Sequence, residues 1–131
     1  IVNNKVKHRE PFRPYAISIL EEKANEYFYG FYPSPYMLLV FKVKEKYKEQ
    51  LKGVIHVDGT VRIQTVIPRR EPNFYKLIKE FEKITGVPCV LNTSFNVRGK
   101  PIVCTPCEAI EVYKNTKMDA LVFNSKLLII R

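Results

Sequence analysis

The chain has 131 residues, of which 46% are hydrophobic and 27% are charged, and this length and composition fit one globular domain over 1–131 rather than a disordered segment. The 22 Lys and Arg residues outnumber the 13 Asp and Glu residues, which gives a formal charge of +9 and favours an anionic partner. The longest apolar run, 36–41, is far shorter than the roughly 20 residues of a transmembrane helix, and this excludes a membrane span.

The sequence begins at Ile1 without an initiator Met, and we expect the domain to be a piece cut from a longer chain. Three cysteines are too few for a disulfide scaffold, which favours a cytoplasmic protein. Cys104 and Cys107 have the spacing of a redox pair, but the same segment also fits an ordinary helix start.

The first predicted elements are a basic segment, a helix and a strand. Residues 3–14 carry four cations and two prolines, which predict an extended lead-in. Ser18 is followed by Glu at the spacing of a capping box, so a helix is predicted over 18–29. The mostly apolar segment 36–43 predicts a central strand, and the charged stretch 44–52 predicts a turn or a short helix.

An Asp-Gly pair predicts the bend of a β-hairpin over 54–66. A three-residue loop at this bend collects the apolar side chains on one face of the hairpin. The same register places His56, Arg62 and Gln64 together on the opposite, polar face.

Pro72 predicts the start of a helix that Gly86 and Pro88 end. Its apolar residues recur at spacings of three and four, which predicts one core-facing side. That side would consist of Phe74, Leu77, Ile78, Phe81 and Ile84.

The last third of the chain alternates short strands with a helix. Because strands and helices interleave through both hairpins and crossovers, we predict an α+β fold with helices packed on a mixed sheet. The elements are a strand at 89–91, a polar loop at 92–100, a strand at 102–104, a helix at 106–115 and strands at 120–123 and 127–130.

The polar loop 92–100 is the first candidate for chemistry. It follows a buried strand, and its Ser94, Asn96 and Arg98 side chains can donate hydrogen bonds to phosphate oxygens. The same residue types are also common in ordinary turns, and composition alone leaves both interpretations open.

The second candidate is the cation cluster in the lead-in. On an extended chain Lys7 and Arg9 point to the same side, and with Arg13 they could hold an anion. A solvated basic arm is the alternative. Arg62 is a further cation that could join a phosphate site.

Four longer motifs occur in order at residues 6–14, 34–37, 56–66 and 91–103. Together they resemble the C-terminal domain of the O-carbamoyltransferases, which carbamoylate antibiotics and nodulation factors. The resemblance extends over about 6–122.

This resemblance implies a YrdC-like fold, a twisted mixed β-sheet with helices packed on it. It also implies that the domain binds carbamoyl phosphate and ATP and forms carbamoyladenylate. We expect Mg²⁺ to accompany the ATP, held mainly by phosphate oxygens and water. A separate N-terminal domain would then pass the carbamoyl group to an acceptor hydroxyl. YrdC-like proteins carry a Lys-x-Arg and a Ser-x-Asn pair at the nucleotide site, which correspond here to Lys7 and Arg9 and to Ser94 and Asn96.

The residue patterns and the resemblance together define the predicted site. We expect Arg62, Lys7 and Arg9 to act in catalysis, and no transition metal to be bound by this chain. An alternative is a basic RNA-binding module related to the YrdC-like proteins of tRNA modification. The predicted ligands of ATP and carbamoyl phosphate are Lys7, Arg9, Arg13, Arg62, Ser94, Asn96 and Arg98.

Overall fold

The computed structural model describes residues 1–8, 10, 12–123 and 127–130. The chain divides into two units, one made of Ile1–Arg13 with Ser94–Arg131 and the other of Pro14–Thr93, which we call unit 1 and unit 2. The expectation of a single domain stays a prediction. Among the described residues, no helix combines the length and the apolar character needed to cross a membrane.

Unit 2 is built on a four-stranded mixed sheet. Its strands are β1 (Ala16–Leu20), β2 (Leu39–Lys42), β3 (Thr60–Val66) and β4 (Cys89–Asn92), in the spatial order β2-β3-β1-β4. Strands β1 and β3 are parallel, whereas the β1–β4 and β2–β3 pairs are antiparallel. The mixed sheet and the helices that contact it confirm the α+β class.

The two faces of this sheet bury different clusters. Because side chains alternate along a strand, Ile17 and Ile19 of β1 pack on one face with helix α1 (Glu21–Tyr27). Leu20 lies on the other face, where it packs with Ile78 of helix α3 (Pro72–Thr85). β1 is buried over its whole length, as expected of a strand that is covered on both sides.

The helix predicted over 18–29 is wrong in its first turn, because Ser18 lies in the middle of β1. The Ser18 hydroxyl donates to Gln64 Oε1 at 2.7 Å and caps no helix. The spacing of a capping box favours a helix start at Ser18, whereas the continuous buried segment Ala16–Leu20 favours a strand. The strand is the structure that forms.

The strand predicted over 36–43 is shorter and lies at the sheet edge, as β2. Met37 has a left-handed φ of 57°, which an extended strand does not allow. The next segment is helical, with a 3₁₀ turn at Glu45–Tyr47 and α2 at Lys48–Leu51, in agreement with the prediction.

The hairpin predicted over 54–66 is also wrong, because only its second half, β3, is a strand. Strand β3 pairs with β1 on one side and with β2 on the other, so its two edges are already occupied. The alternation within β3 is as predicted, since Val61 and Ile63 are buried while Arg62 is exposed.

Helix α3 is confirmed, but most of its predicted core face is not covered. Ile78 is fully buried, whereas Leu77, Phe81 and Ile84 are 54%, 38% and 84% exposed. The sheet offers this helix only the small cluster around Leu20, which is too narrow to cover a stripe of three turns.

Unit 1 contains helix α4 (Pro106–Lys114) and the antiparallel pair β5 (Ala120–Phe123) and β6 (Leu127–Ile130). The predicted capping box is present, with Thr105 Oγ1 accepting from the Glu108 amide at 3.3 Å. Residues 102–104 form no strand, and the link 124–126 lies outside the described residues. The small hydrophobic core of unit 1 comprises Ala109, Tyr113 and Leu121.

The three thiols differ in their environment, and this makes the fold testable. Cys89 is buried in the sheet, and burial raises its pKa to about 12, so at pH 8 it is a protonated and inaccessible thiol. Cys104 and Cys107 are exposed. We predict that two thiols react rapidly with a disulfide reagent at pH 8 and that the third reacts only after unfolding in guanidinium.

The matched control is Cys89→Ala, which should leave the rapid count at two and abolish the slow thiol. Three rapid thiols in the wild-type protein would contradict the described sheet.

Candidate anion-binding site

Lys7 is the central residue of the candidate site. It is the last residue of a short π-helix, Asn3–Lys7, and only 4% of its surface is exposed. Residues 3–7 of the lead-in are therefore helical and not extended as predicted. Arg9 lies outside the described residues, so the prediction that Lys7 and Arg9 point to the same side stays a prediction.

The Lys7 ammonium lies in a cage of oxygen atoms from the polar loop. Its Nζ is 2.8 Å from Ser94 O, 2.7 Å from Asn96 O and 2.6 Å from Asn96 Oδ1, with Ser94 Oγ at 3.3 Å. A lysine ammonium has three N–H donors, so these oxygens already use its donor capacity. Such hydrogen bonding is what allows a charge to be buried.

The loop itself is closed by further hydrogen bonds. Ser94 Oγ donates to Asn96 Oδ1 at 2.7 Å, and Asn96 Nδ2 donates to Lys100 O at 2.8 Å. The Lys100 amide donates to Val97 O at 3.2 Å, which closes a turn with Gly99 at a left-handed φ of 75°. Ser94 and Asn96 are therefore held in fixed positions around the lysine.

Arg98 and Arg13 meet at the carboxylate of Glu10, which is not among the predicted site residues. Arg98 Nη2 lies 3.0 Å from Glu10 Oε1, and Arg13 Nη1 lies 3.8 Å from Glu10 Oε2. Arg98 Nη1 also donates to His8 O at 3.4 Å. The available signal was that Glu10 is the single acid within a basic segment.

These groups enclose a cavity of about 180 Å³ in unit 1. Three cationic side chains face one carboxylate, so the described lining has an excess of positive charge and is suited to an anion. Five of the seven predicted site residues are brought together here. The lining comprises Lys7, Glu10, Arg13, Ser94, Asn96, Val97, Arg98 and Gly99.

A larger cavity of about 390 Å³ lies beside α4, also in unit 1. Its lining includes Glu108 and Glu111 but one cation, Lys100. Two backbone amides, those of Cys104 and Thr105, donate to Glu108 and lower the pKa of its carboxyl. Because the Glu108 carboxyl stays ionised, the two acids outweigh the one described cation, and the lining of this cavity repels anions. The charge of the lining, and not the volume, therefore identifies the smaller cavity as the candidate site.

Arg62 belongs to unit 2, where it is exposed on β3 opposite Val40 of β2. The neighbouring polar positions form a network that the sequence analysis did not find. Asn92 Nδ2 donates to Ser18 Oγ at 2.7 Å and to Gln64 Oε1 at 3.1 Å. No sequence signal marks this network, because it depends on the register of three strands.

The sequence is similar to known proteins over nearly its whole length. The family described as "Carbamoyltransferase C-terminus" matches residues 1–129. An uncharacterised protein of Synechocystis is 42% identical over 148 residues, which cover 98% of this chain and 24% of that protein.

Two nodulation proteins are similarly close. Nodulation protein NolNO of Sinorhizobium fredii is 42% identical over 130 residues, covering 97% of this chain and 19% of that protein. Nodulation protein NolO of Bradyrhizobium diazoefficiens is 42% identical over 124 residues, covering 92% of this chain and 23% of that protein. The chain thus spans about a fifth to a quarter of the length of these relatives.

The lysine cage predicts a large effect of substituting Lys7 on stability. Lys7→Met keeps the length and apolar stem of the side chain but removes the donors for the oxygens of Ser94 and Asn96. We expect the free energy of unfolding to fall by about 2–4 kcal/mol, the range for a buried polar network that loses one partner. Urea unfolding followed by circular dichroism measures it.

The control is Lys5→Met, which removes an exposed lysine from the same π-helix and should change stability by less than about 0.5 kcal/mol. Equal stabilities of the two variants would show that the cage contributes nothing.

Proposed function

The chain belongs to the family of carbamoyltransferase C-terminal domains, and from this premise we propose that it binds ATP and carbamoyl phosphate and forms carbamoyladenylate. The observation that supports this proposal best is the cavity in unit 1, which combines Arg13 and Arg98 with the hydrogen-bonding loop at Ser94 and Asn96. Arginine guanidinium groups are usual ligands of phosphate groups. The Ser94 hydroxyl already donates to Asn96 Oδ1 and Asn96 Nδ2 to Lys100 O, so these two residues support the cavity wall and the arginines supply the main donors.

The proposed reaction has two steps. Hydrolysis of carbamoyl phosphate releases phosphate and carbamate. A carbamate oxygen then attacks the α-phosphorus of ATP, a new oxygen–phosphorus bond forms, and the bond to the β-phosphate breaks to release pyrophosphate. Positioning and charge neutralisation can supply most of the rate of such phosphoryl chemistry.

The cationic side chains have different tasks in this proposal. Arg13 and Arg98 are exposed enough to contact phosphate oxygens, with side chains that are 59% and 65% exposed. Lys7 lines the cavity, but its donors are used by Ser94 and Asn96, which favours a positioning task. The roles of Arg9 and Arg62 at the phosphates stay predictions.

Magnesium would enter this reaction together with the nucleotide. Among the described residues lining the cavity, the carboxylate is Glu10, and it is engaged by Arg13 and Arg98. The lining therefore does not fit a dedicated Mg²⁺ cage, and phosphate oxygens and water would coordinate the ion, as is common for this metal.

The remaining steps of the proposal lie outside this chain. Because the relatives are about four to five times longer than the matched segment, we propose that another part of a longer polypeptide transfers the carbamoyl group to an acceptor hydroxyl. A cytoplasmic location remains part of the same proposal.

The proposal predicts saturable binding of ATP with Mg²⁺, measured by calorimetry with and without carbamoyl phosphate. Arg98→Ala and Asn96→Ala should each weaken binding by roughly tenfold or more, since a lost contact to a charged group costs about 1.5–3 kcal/mol. Phosphorus NMR should detect pyrophosphate only when both substrates are present.

The matched control is Lys83→Ala, which removes one positive charge from an exposed ion pair with Glu80 on α3 and should leave ATP affinity unchanged. Absence of ATP binding would contradict the proposal. The RNA-binding alternative would instead be supported by affinity for a structured RNA that falls steeply between low and moderate salt.

A further inference from the structure

Glu10 occupies an unexpected position for an acidic residue. It lines a cavity whose other charged groups are cationic, and its two carboxylate oxygens face two different arginines. The Arg98 contact, at 3.0 Å, joins residues 88 positions apart in the sequence, whereas the 3.8 Å contact to Arg13 is local. A single carboxylate thus brings together the lead-in and the polar loop of unit 1.

Without such a partner, both arginines would be poorly ordered. Their side chains are 65% and 59% exposed, and a long exposed arginine side chain populates many rotamers in solution. A ligand that needs both guanidinium groups would have to order them on binding, which lowers its affinity. Glu10, which lies 3.0 Å from Arg98 and 3.8 Å from Arg13, is placed to restrict both side chains before a ligand arrives.

A carboxylate in an anion site also has an opposing effect, because it repels the ligand. Two observations limit this repulsion. Each guanidinium has five N–H donors, and the described bonds of Arg98 use its Nη2 for Glu10 and its Nη1 for His8 O, so donors of Arg98 remain for a ligand. The described charges around the cavity also remain positive in sum, since Lys7, Arg13 and Arg98 face the single carboxylate.

We propose that Glu10 is a positioning residue that orients Arg98 and Arg13 for an anionic ligand carrying a phosphate group. This inference rests on the proposed function, because it requires that the cavity binds phosphate. It assigns Glu10 a favourable contribution to the binding of an anion, although simple charge counting predicts the opposite sign.

The experiment is a calorimetric titration with inorganic phosphate and, separately, with ATP and Mg²⁺. The proteins are the wild type, Glu10→Gln, Arg98→Ala and the double variant. We expect Glu10→Gln to bind phosphate about tenfold more weakly than the wild type, as for the loss of one ordered charged contact. In the Arg98→Ala background the same substitution should have a much smaller effect, because Glu10 acts mainly through Arg98.

Glu10→Asp separates charge from reach. It keeps the negative charge but shortens the side chain by one methylene, so it cannot hold both arginines at the same distances. We expect its phosphate affinity to lie between those of the wild type and Glu10→Gln. Should circular dichroism show that Glu10→Gln is unfolded, the comparison of Glu10→Asp with the wild type tests the inference in the same way.

The outcomes distinguish this inference from its premise. Unchanged or tighter phosphate binding by Glu10→Gln or by Glu10→Asp would overturn the positioning role while leaving the proposed function in place. Equal effects of Glu10→Gln with and without Arg98 would overturn it as well. If the wild type binds neither phosphate nor ATP, the proposed function fails and the inference falls with it.

Discussion

The buried ammonium of Lys7 is the interaction on which the candidate site depends. Lys7 is only 4% exposed, and a buried charge is costly unless hydrogen bonds replace its water shell. The loop at Ser94 and Asn96 supplies four oxygens within 3.3 Å of the ammonium. Ser94 and Asn96 lie 87 and 89 positions after Lys7 in the sequence. Lys7 therefore ties the start of the chain to the loop that follows β4, and it fixes the loop conformation from which Asn96 and Arg98 face the cavity.

The charged groups of the cavity depend on the loop conformation that Lys7 stabilises. Lys7 organises the backbone of the loop, and Glu10 orients two guanidinium groups that line the cavity, that of Arg98 from the loop and that of Arg13 from the lead-in. The cation that is most buried thus has a structural task, while the most exposed cations are those able to reach a ligand. This division agrees with the chemistry proposed for a carbamoyltransferase C-terminal domain, in which phosphate binding and charge neutralisation matter more than a catalytic base.

The sequence was informative where the signal was local and chemical. The donors of the loop 92–100 and the cations of the lead-in identified five residues that line one cavity, and the capping box at Thr105 predicted α4. The sequence was misleading where contacts between distant segments determine the local structure or the burial of a side chain. Ser18 has the spacing of a helix cap but lies in a buried central strand, and the apolar stripe of α3 predicted burial that the sheet of unit 2 does not supply. The tasks of Lys7 and Glu10 depend on contacts with residues about 90 positions away, which no local pattern encodes.

The most direct test of this account is to map phosphate binding by NMR. Inorganic phosphate is titrated into the isotope-labelled chain, and backbone amide shifts are followed residue by residue. We expect saturable shifts concentrated at the amides of Ser94, Asn96, Arg98 and Gly99, together with those of Lys7 and Glu10. Saturable shifts confined to unit 2, or no saturation at any amide, would contradict the assignment of the phosphate site to the cavity around Lys7.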